Sequence, residues 1–228
     1  MKYCSSVCQT QDWASHKRVC KNVEAARNEE LRPLMSAAHD GDVATVERLL
    51  KAGAKVDRVA IADCGLITPL FAAVTAGHAA VIAVLLKAGA KINRKTTDGF
   101  TPLLVGAQLG HRSAVSALIG AGAVIYSVTE SQCMPLFMAA MQGHEAVLAL
   151  LKAGGDVNRK RDDGCSPVLV AVQNDHQAEL AVLMNAGADI NQAVDNGCTP
   201  VFVAAQQNHK TVLATLLKAG AEIKFRKG

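Results

Sequence analysis

Hydrophobic and polar positions in this chain recur on two scales. On the short scale, two apolar runs are separated by a polar break. On the long scale, that pair of runs returns about every 33 residues: Pro33, Pro69, Pro102, Pro135, Pro167 and Pro200 are spaced by 36, 33, 33, 32 and 33. A hydroxyl residue precedes four of them (Thr68, Thr101, Ser166, Thr199). Its oxygen can cap an orphan amide, and proline in the first helical position forfeits no hydrogen bond, so each proline predicts a helix start. Eight residues later come the breaks Gly41-Asp42, Gly77-His78, Gly110-His111, Gly143-His144, Asp175-His176 and Asn208-His209. The second apolar run ends in Leu49-Leu50, Leu85-Leu86, Leu118-Ile119, Leu150-Leu151, Leu183-Met184 or Leu216-Leu217. Gly53, Gly89, Gly122, Gly154, Gly187 and Gly220 then supply the left-handed stop that commonly closes a helix. Asp98-Gly99, Asp163-Gly164 and Asn196-Gly197 predict tight hairpin turns between units. The expectation is an all-α solenoid of six helix–turn–helix units with short projecting turns.

The runs Thr68-Pro69-Leu70-Phe71-Ala72-Ala73 and Thr199-Pro200-Val201-Phe202-Val203-Ala204-Ala205 carry a closer likeness. With the 33-residue period, they resemble the T-P-L-H-x-A signature of the ankyrin repeat over residues 30–228. The departure is the histidine of that signature, replaced by Met35, Phe71, Leu104, Phe137, Leu169 and Phe202. Apolar groups in one register are expected in the core; an apolar binding stripe on the concave face is the alternative. The resemblance implies protein binding through the turn tips and the first-helix face. It also implies that Asn93, Asn158 and Asn191 stand where an asparaginyl hydroxylase acts in some such proteins. Turn stabilisation by these amides is the plainer reading.

Composition changes the picture in few places. Gly65 to Leu86 is 22 residues without a charge, long enough to span a membrane, but Pro69 and Gly77-His78 interrupt it in repeat register. Two short buried helices explain it better. No basic-plus-apolar signal segment opens the chain, so the expected location is intracellular, cytoplasmic or nuclear, and reducing. Seven cysteines, an odd number, argue against a disulfide framework. Cys133, Cys165 and Cys198 occupy equivalent positions in successive units. Units stacked roughly 8–10 Å apart hold such residues beyond disulfide reach, so free thiols are expected. The net charge is +4, yet Arg159-Lys160-Arg161 is followed at once by Asp162-Asp163. No continuous basic stripe results, which argues against nucleic acid as the primary ligand.

Residues 4–20 differ in character: Cys4, Cys8, His16 and Cys20 follow the spacing C-x3-C-x7-H-x3-C. Thiolates and imidazole are the ligands structural zinc prefers, and His16 and Cys20 share a face if helical. With Tyr3, Gln9, Trp13 and Lys17, the run resembles the second half of a MYND zinc finger. The resemblance implies two zincs, whose other cysteine pairs would lie upstream of Met1. Three readings stay open: the chain is a fragment, the four residues gather around one zinc, or they bind nothing and residues 2–32 cap the array. Family likeness further implies recognition of a short proline-containing peptide through Gln9 and Trp13; the alternative for Trp13 is the finger's small core. The domains expected are a partial finger at 1–20, a helical connector at 21–29 and the repeats at 30–228.

In the repeats, His78, His111, His144, His176 and His209 recur once per unit, too far apart to share a metal, and are expected to bond loop backbone. The sequence contains no G-x-S-x-G, H-E-x-x-H or Gly-rich phosphate loop. One turn stands apart. Gln132 replaces the turn glycine there, Met134 replaces the capping hydroxyl, and Tyr126 is one of two tyrosines. Tyr126 and Gln132, with Arg94, Phe100 and Arg159 on neighbouring turns, are the candidate partner-contact residues; sequence drift is the alternative for the odd turn. Residues Val59-Ala60-Ile61-Ala62 lengthen the first inter-unit turn, which either folds back on the array or meets a partner. The functional expectation is a monomeric, non-catalytic adaptor for another protein. The rivals are an accessory part of a MYND-containing enzyme and a nucleic-acid-associated regulator.

Overall fold

The computed structural model describes residues 32–62, 65–127, 129 and 134–223. Among them are twelve helices in six pairs. They are α1 (Arg32–Asp40) with α2 (Val43–Lys51), α3 (Pro69–Ala76) with α4 (Ala79–Lys87), and α5 (Pro102–Leu109) with α6 (Arg112–Gly120). Then come α7 (Pro135–Gln142) with α8 (Ala146–Lys152), α9 (Pro167–Gln173) with α10 (Gln177–Asn185), and α11 (Pro200–Gln206) with α12 (Lys210–Lys218). First helices stack on first helices and second on second down the array. The 22-residue uncharged stretch, residues 65–86, covers α3 and most of α4 and is broken between them, and no described helix is long and apolar enough to cross a membrane. The expected finger and connector, with Cys4, Cys8, Gln9, Trp13, His16 and Cys20, lie outside the described residues, as do Gln132 and Cys133.

The helix starts form as the sequence predicts. Thr68, Thr101, Ser166 and Thr199 each accept, through the side-chain oxygen, the amide three residues on, at 3.4, 3.3, 3.3 and 3.3 Å. Met134 makes no such bond, but its side chain is buried at 6% exposure. Packing replaces capping there. Asp42 caps α2, and hydrogen bonds from the Thr45 hydroxyl and amide hold its carboxyl below the ordinary value.

The first helices of the inner units are buried along nearly their whole length: Pro69–Thr75, Pro102–Gln108, Pro135–Met141 and Pro167–Val172. Small residues allow this close approach; a methyl added at Gly106 would press on Val115 and Val74 at 3.3 and 3.4 Å. Met35, Phe71, Leu104, Phe137 and Leu169 are core residues, as expected. Phe202 is not: in the sixth unit the same register is 47% exposed, because burial at this position comes from the unit stacked beyond. Val212 and Leu216 are buried behind it, while Leu217 stays 41% exposed.

The longer first turn folds on itself. β1 (Ala60–Ala62) and β2 (Gly65–Ile67) pair antiparallel with Ala60 opposite Ile67 and Ala62 opposite Gly65. Cys165 and Cys198 are free thiols, the former buried.

One device joins each unit from the second onward to the next. His111, His144, His176 and His209 place Nε2 against the carbonyls of Thr75, Gln108, Met141 and Gln173 at 3.0, 3.0, 3.0 and 3.3 Å. A carbonyl only accepts, so that nitrogen carries the proton. Burial holds the His144 imidazole below its ordinary value, against the pull of the Gln108 carbonyl. The ring lies flat on the preceding unit's left-handed break: a methyl on Gly110, at φ +75°, would stand 2.6 Å from His144 Nδ1. Where Asp175 takes the glycine's place at φ +59°, the His209–carbonyl distance is the longest of the four. His209 there gains Gln207 Oε1 at 2.8 Å and faces the Asp175 carboxylate at 3.6 Å.

Candidate functional site

With the first helices buried, the projecting turns are the exposed polar edge of the array. They are tied together by a second ladder. Asp57 Oδ1 accepts the Lys91 amide at 2.9 Å, and Asn93 Oδ1 accepts the Val124 amide at 2.9 Å. Further along, Asn158 Oδ1 accepts the Asp189 amide and Asn191 Oδ1 the Glu222 amide, both at 2.8 Å. Asn158 also donates from Nδ2 to the Gly187 carbonyl at 3.4 Å, so its amide grips the next turn at both ends. The three asparagines therefore stabilise the turns, and Asp57 does the same work. Sequence reasoning missed Asp57; its register, the same as that of Asn93, Asn158 and Asn191, was the available signal.

Tyr126 occupies the rung between Asn93 and Asn158. Its hydroxyl donates to the carbonyl of Gly154, the equivalent of Gly187. A phenol thus reproduces the donating half of the asparagine clamp and reaches past the accepting half. The ring is 44% exposed, and the Arg159 guanidinium lies over it at 5.6 Å from the centroid. A cation over an exposed ring contributes about 0.5–1 kcal/mol. Two of the candidate contact residues are thereby brought together on adjacent turns, both exposed, with the guanidinium against one face of the ring. Arg94 is half-buried one turn nearer the N-terminus.

Phe100 corrects the sequence reading. It is 1% exposed and packs in the core, not on the turn surface where the sequence places it. It holds the position of Cys165 and Cys198, directly before the helix cap, where the chain turns inward: Thr96 donates to its carbonyl at 2.9 Å, as Arg161 does to that of Cys165. Arg161 is also withdrawn from the surface. Its guanidinium lies 5.2 Å from the Phe137 ring centroid and 3.5 Å from Asp163, with the side chain 13% exposed. Burial, paired with an acid, removes it from the basic turn that the sequence displays.

Among the described residues, no group of three or more His, Cys, Asp or Glu could hold a metal ion. The four candidate zinc ligands fall outside that set, so only the chemistry of the donors bears on them. Three thiolates and an imidazole form a complete tetrahedral set for structural zinc.

The ankyrin repeats family model matches the chain in three copies, over residues 13–96, 34–129 and 136–227. The MYND finger model matches residues 1–20. No curated protein matches the chain.

Proposed function

The chain belongs to the ankyrin-repeat family, and from that premise we propose that it is a non-catalytic adaptor that binds another protein along the edge formed by its turns. The observation that carries this reading is the Tyr126–Arg159 pair. It is a solvent-open aromatic and guanidinium held in one pose by the Gly154 bond and the neighbouring rungs. Tyrosine and arginine are the side chains most enriched at the energetic centres of interfaces, and pre-ordering them removes an entropy cost of binding. The contact surface is narrower than the sequence suggests, since the first-helix face of the inner units offers little exposed area. The test is quantitative affinity capture from cells with the wild-type chain and with Tyr126→Ala/Arg159→Glu. Loss of a defined set of partners from the variant supports the reading. An unchanged set defeats it.

A structural zinc at the N-terminus is the second element of the proposal, supported by the MYND match and the donor set Cys4, Cys8, His16 and Cys20. Bound zinc would cross-link the two ends of that segment. Gln9 and Trp13 would then belong to a folded finger able to take a proline-containing peptide, a second contact beside the repeat edge.

A further inference from the structure

One register of the turns contains the residues whose amides the ladder bonds in four of the six units. From first unit to last it holds Lys55, Lys91, Val124, Asp156, Asp189 and Glu222. All six are exposed. The ladder fixes them as neighbours, since Asp57, Asn93, Asn158 and Asn191 bond the amides of Lys91, Val124, Asp189 and Glu222 across successive turns. The column therefore runs from two cations through an apolar centre to three anions. Among the described residues of the inner turns, its centre also carries the most exposed apolar surface, with Val124 50% and Tyr126 44% exposed.

Such a column is complementary to itself when reversed. A two-fold axis through Val124 sets Lys91 against Asp156 of the second copy and Lys55 against Asp189. Each pair forms twice, with Val124 meeting its mate at the middle. An apolar centre with a charged surround is the usual plan of an interface, and an isologous contact requires this kind of palindromic charge. We propose that this edge is the interface of an antiparallel homodimer of the chain, in place of the monomer the sequence suggests.

The rows on either side limit the contact. Lys87 and Lys152 flank it at the helix ends, and Lys95 and Lys160 at the turn tips, bringing like charges together across the axis. The interface is thus about 40 Å long, at about 10 Å per unit, but narrow. It covers less than the roughly 800 Å² per partner of a standard interface, so the dimer is weak, and its exposed ion pairs make it salt-sensitive. It occupies the edge assigned to the adaptor contact, so a bound partner and the dimer exclude one another, and the dimer is measured on the chain alone.

Sedimentation equilibrium of the full chain over a concentration series, at low and high salt, tests the proposal. The wild type is expected to dimerise reversibly at low salt and to lose roughly tenfold or more in affinity at high salt. Lys55→Glu/Lys91→Glu makes the column negative at both ends, and Asp156→Lys/Asp189→Lys makes it positive at both. Each variant alone is expected to be monomeric, with wild-type helical circular dichroism, and an equimolar mixture is expected to dimerise again. Asp156→Asn/Asp189→Asn keeps the turn acceptors and is expected to weaken the dimer without disturbing the fold. A wild-type monomer throughout, variants that dimerise like the wild type, or a mixture that stays monomeric each overturns the proposal.

Discussion

Replacing Gly110 with alanine separates the two roles of the glycine between paired helices. Its backbone is left-handed at φ +75°, and an L side chain there costs about 1–2 kcal/mol. The added methyl would also stand 2.6 Å from His144 Nδ1 and 2.7 Å from Cγ, inside any real contact distance. The ring must move, and the bond from Nε2 to the Gln108 carbonyl, now 3.0 Å, lengthens or breaks. A half-buried bond of this kind contributes about 1 kcal/mol, and more if its groups are left dry. Gly110→Ala should therefore lower stability by about 2–4 kcal/mol. The control is Gly122→Ala: φ is +87°, but nothing lies within 4 Å, so only the backbone cost of about 1–2 kcal/mol remains. The chain contains its own partial version of the experiment. Asp175 sits in this place against His209, and there the histidine–carbonyl distance is 3.3 Å instead of 3.0 Å. Urea unfolding followed by circular dichroism gives the two losses, and a cycle with His144→Ala isolates the ring contact, because in that background Gly110→Ala should cost no more than Gly122→Ala. Equal losses for Gly110→Ala and Gly122→Ala in the wild-type background would refute the steric argument.

Three further outcomes are expected, two from contacts of this kind and one from the N-terminal donor set. Asn158→Ala removes both ends of one clamp and should cost about 1–2 kcal/mol in urea unfolding, whereas Tyr126→Phe, which loses one bond, should cost about 0.5–1.5 kcal/mol. Because burial lowers the folded value of His144, the unfolded chain takes up its proton first as pH falls. The contribution is complete above about pH 6.5 and is lost as pH falls toward the lowered folded value, so His144→Gln should flatten the slope of stability against pH below about pH 6.5. Elemental analysis of chain purified without chelator should find about one zinc per chain, absent in Cys20→Ser; no zinc in either would remove the finger from the proposed function.

Much of the array was legible from local chemistry. Proline after a hydroxyl, glycine after a leucine pair and a period near 33 act within a few residues of each other, so helix starts, stops and pairing needed no knowledge of neighbours. The histidines' partners were legible in kind, as backbone, because their spacing forbade a shared metal. What depended on the neighbouring unit was hidden. Phe100 and Tyr126 both read as turn aromatics, yet one is 1% exposed and the other 44%. Arg161 reads as a surface cation and lies against Phe137. Met134 reads as a missing cap and is instead a buried side chain. Phe202 reads as core, and its exposure reflects how little the described residues stack upon it.

The division has one physical cause. Sequence determined the repeat itself: helix boundaries, unit count and the register of every position, since backbone preferences act over a few residues and recur with the period. Only the stacking decided which side of each register faces protein and which faces water. In a solenoid each residue's burial is supplied by the adjacent unit, and hydrogen bonds such as those between Asn158 and its neighbouring turn join residues 29 and 31 apart. The charge column obeys the same division: its six residues are written in the sequence, but the ladder across the turns makes them one continuous edge.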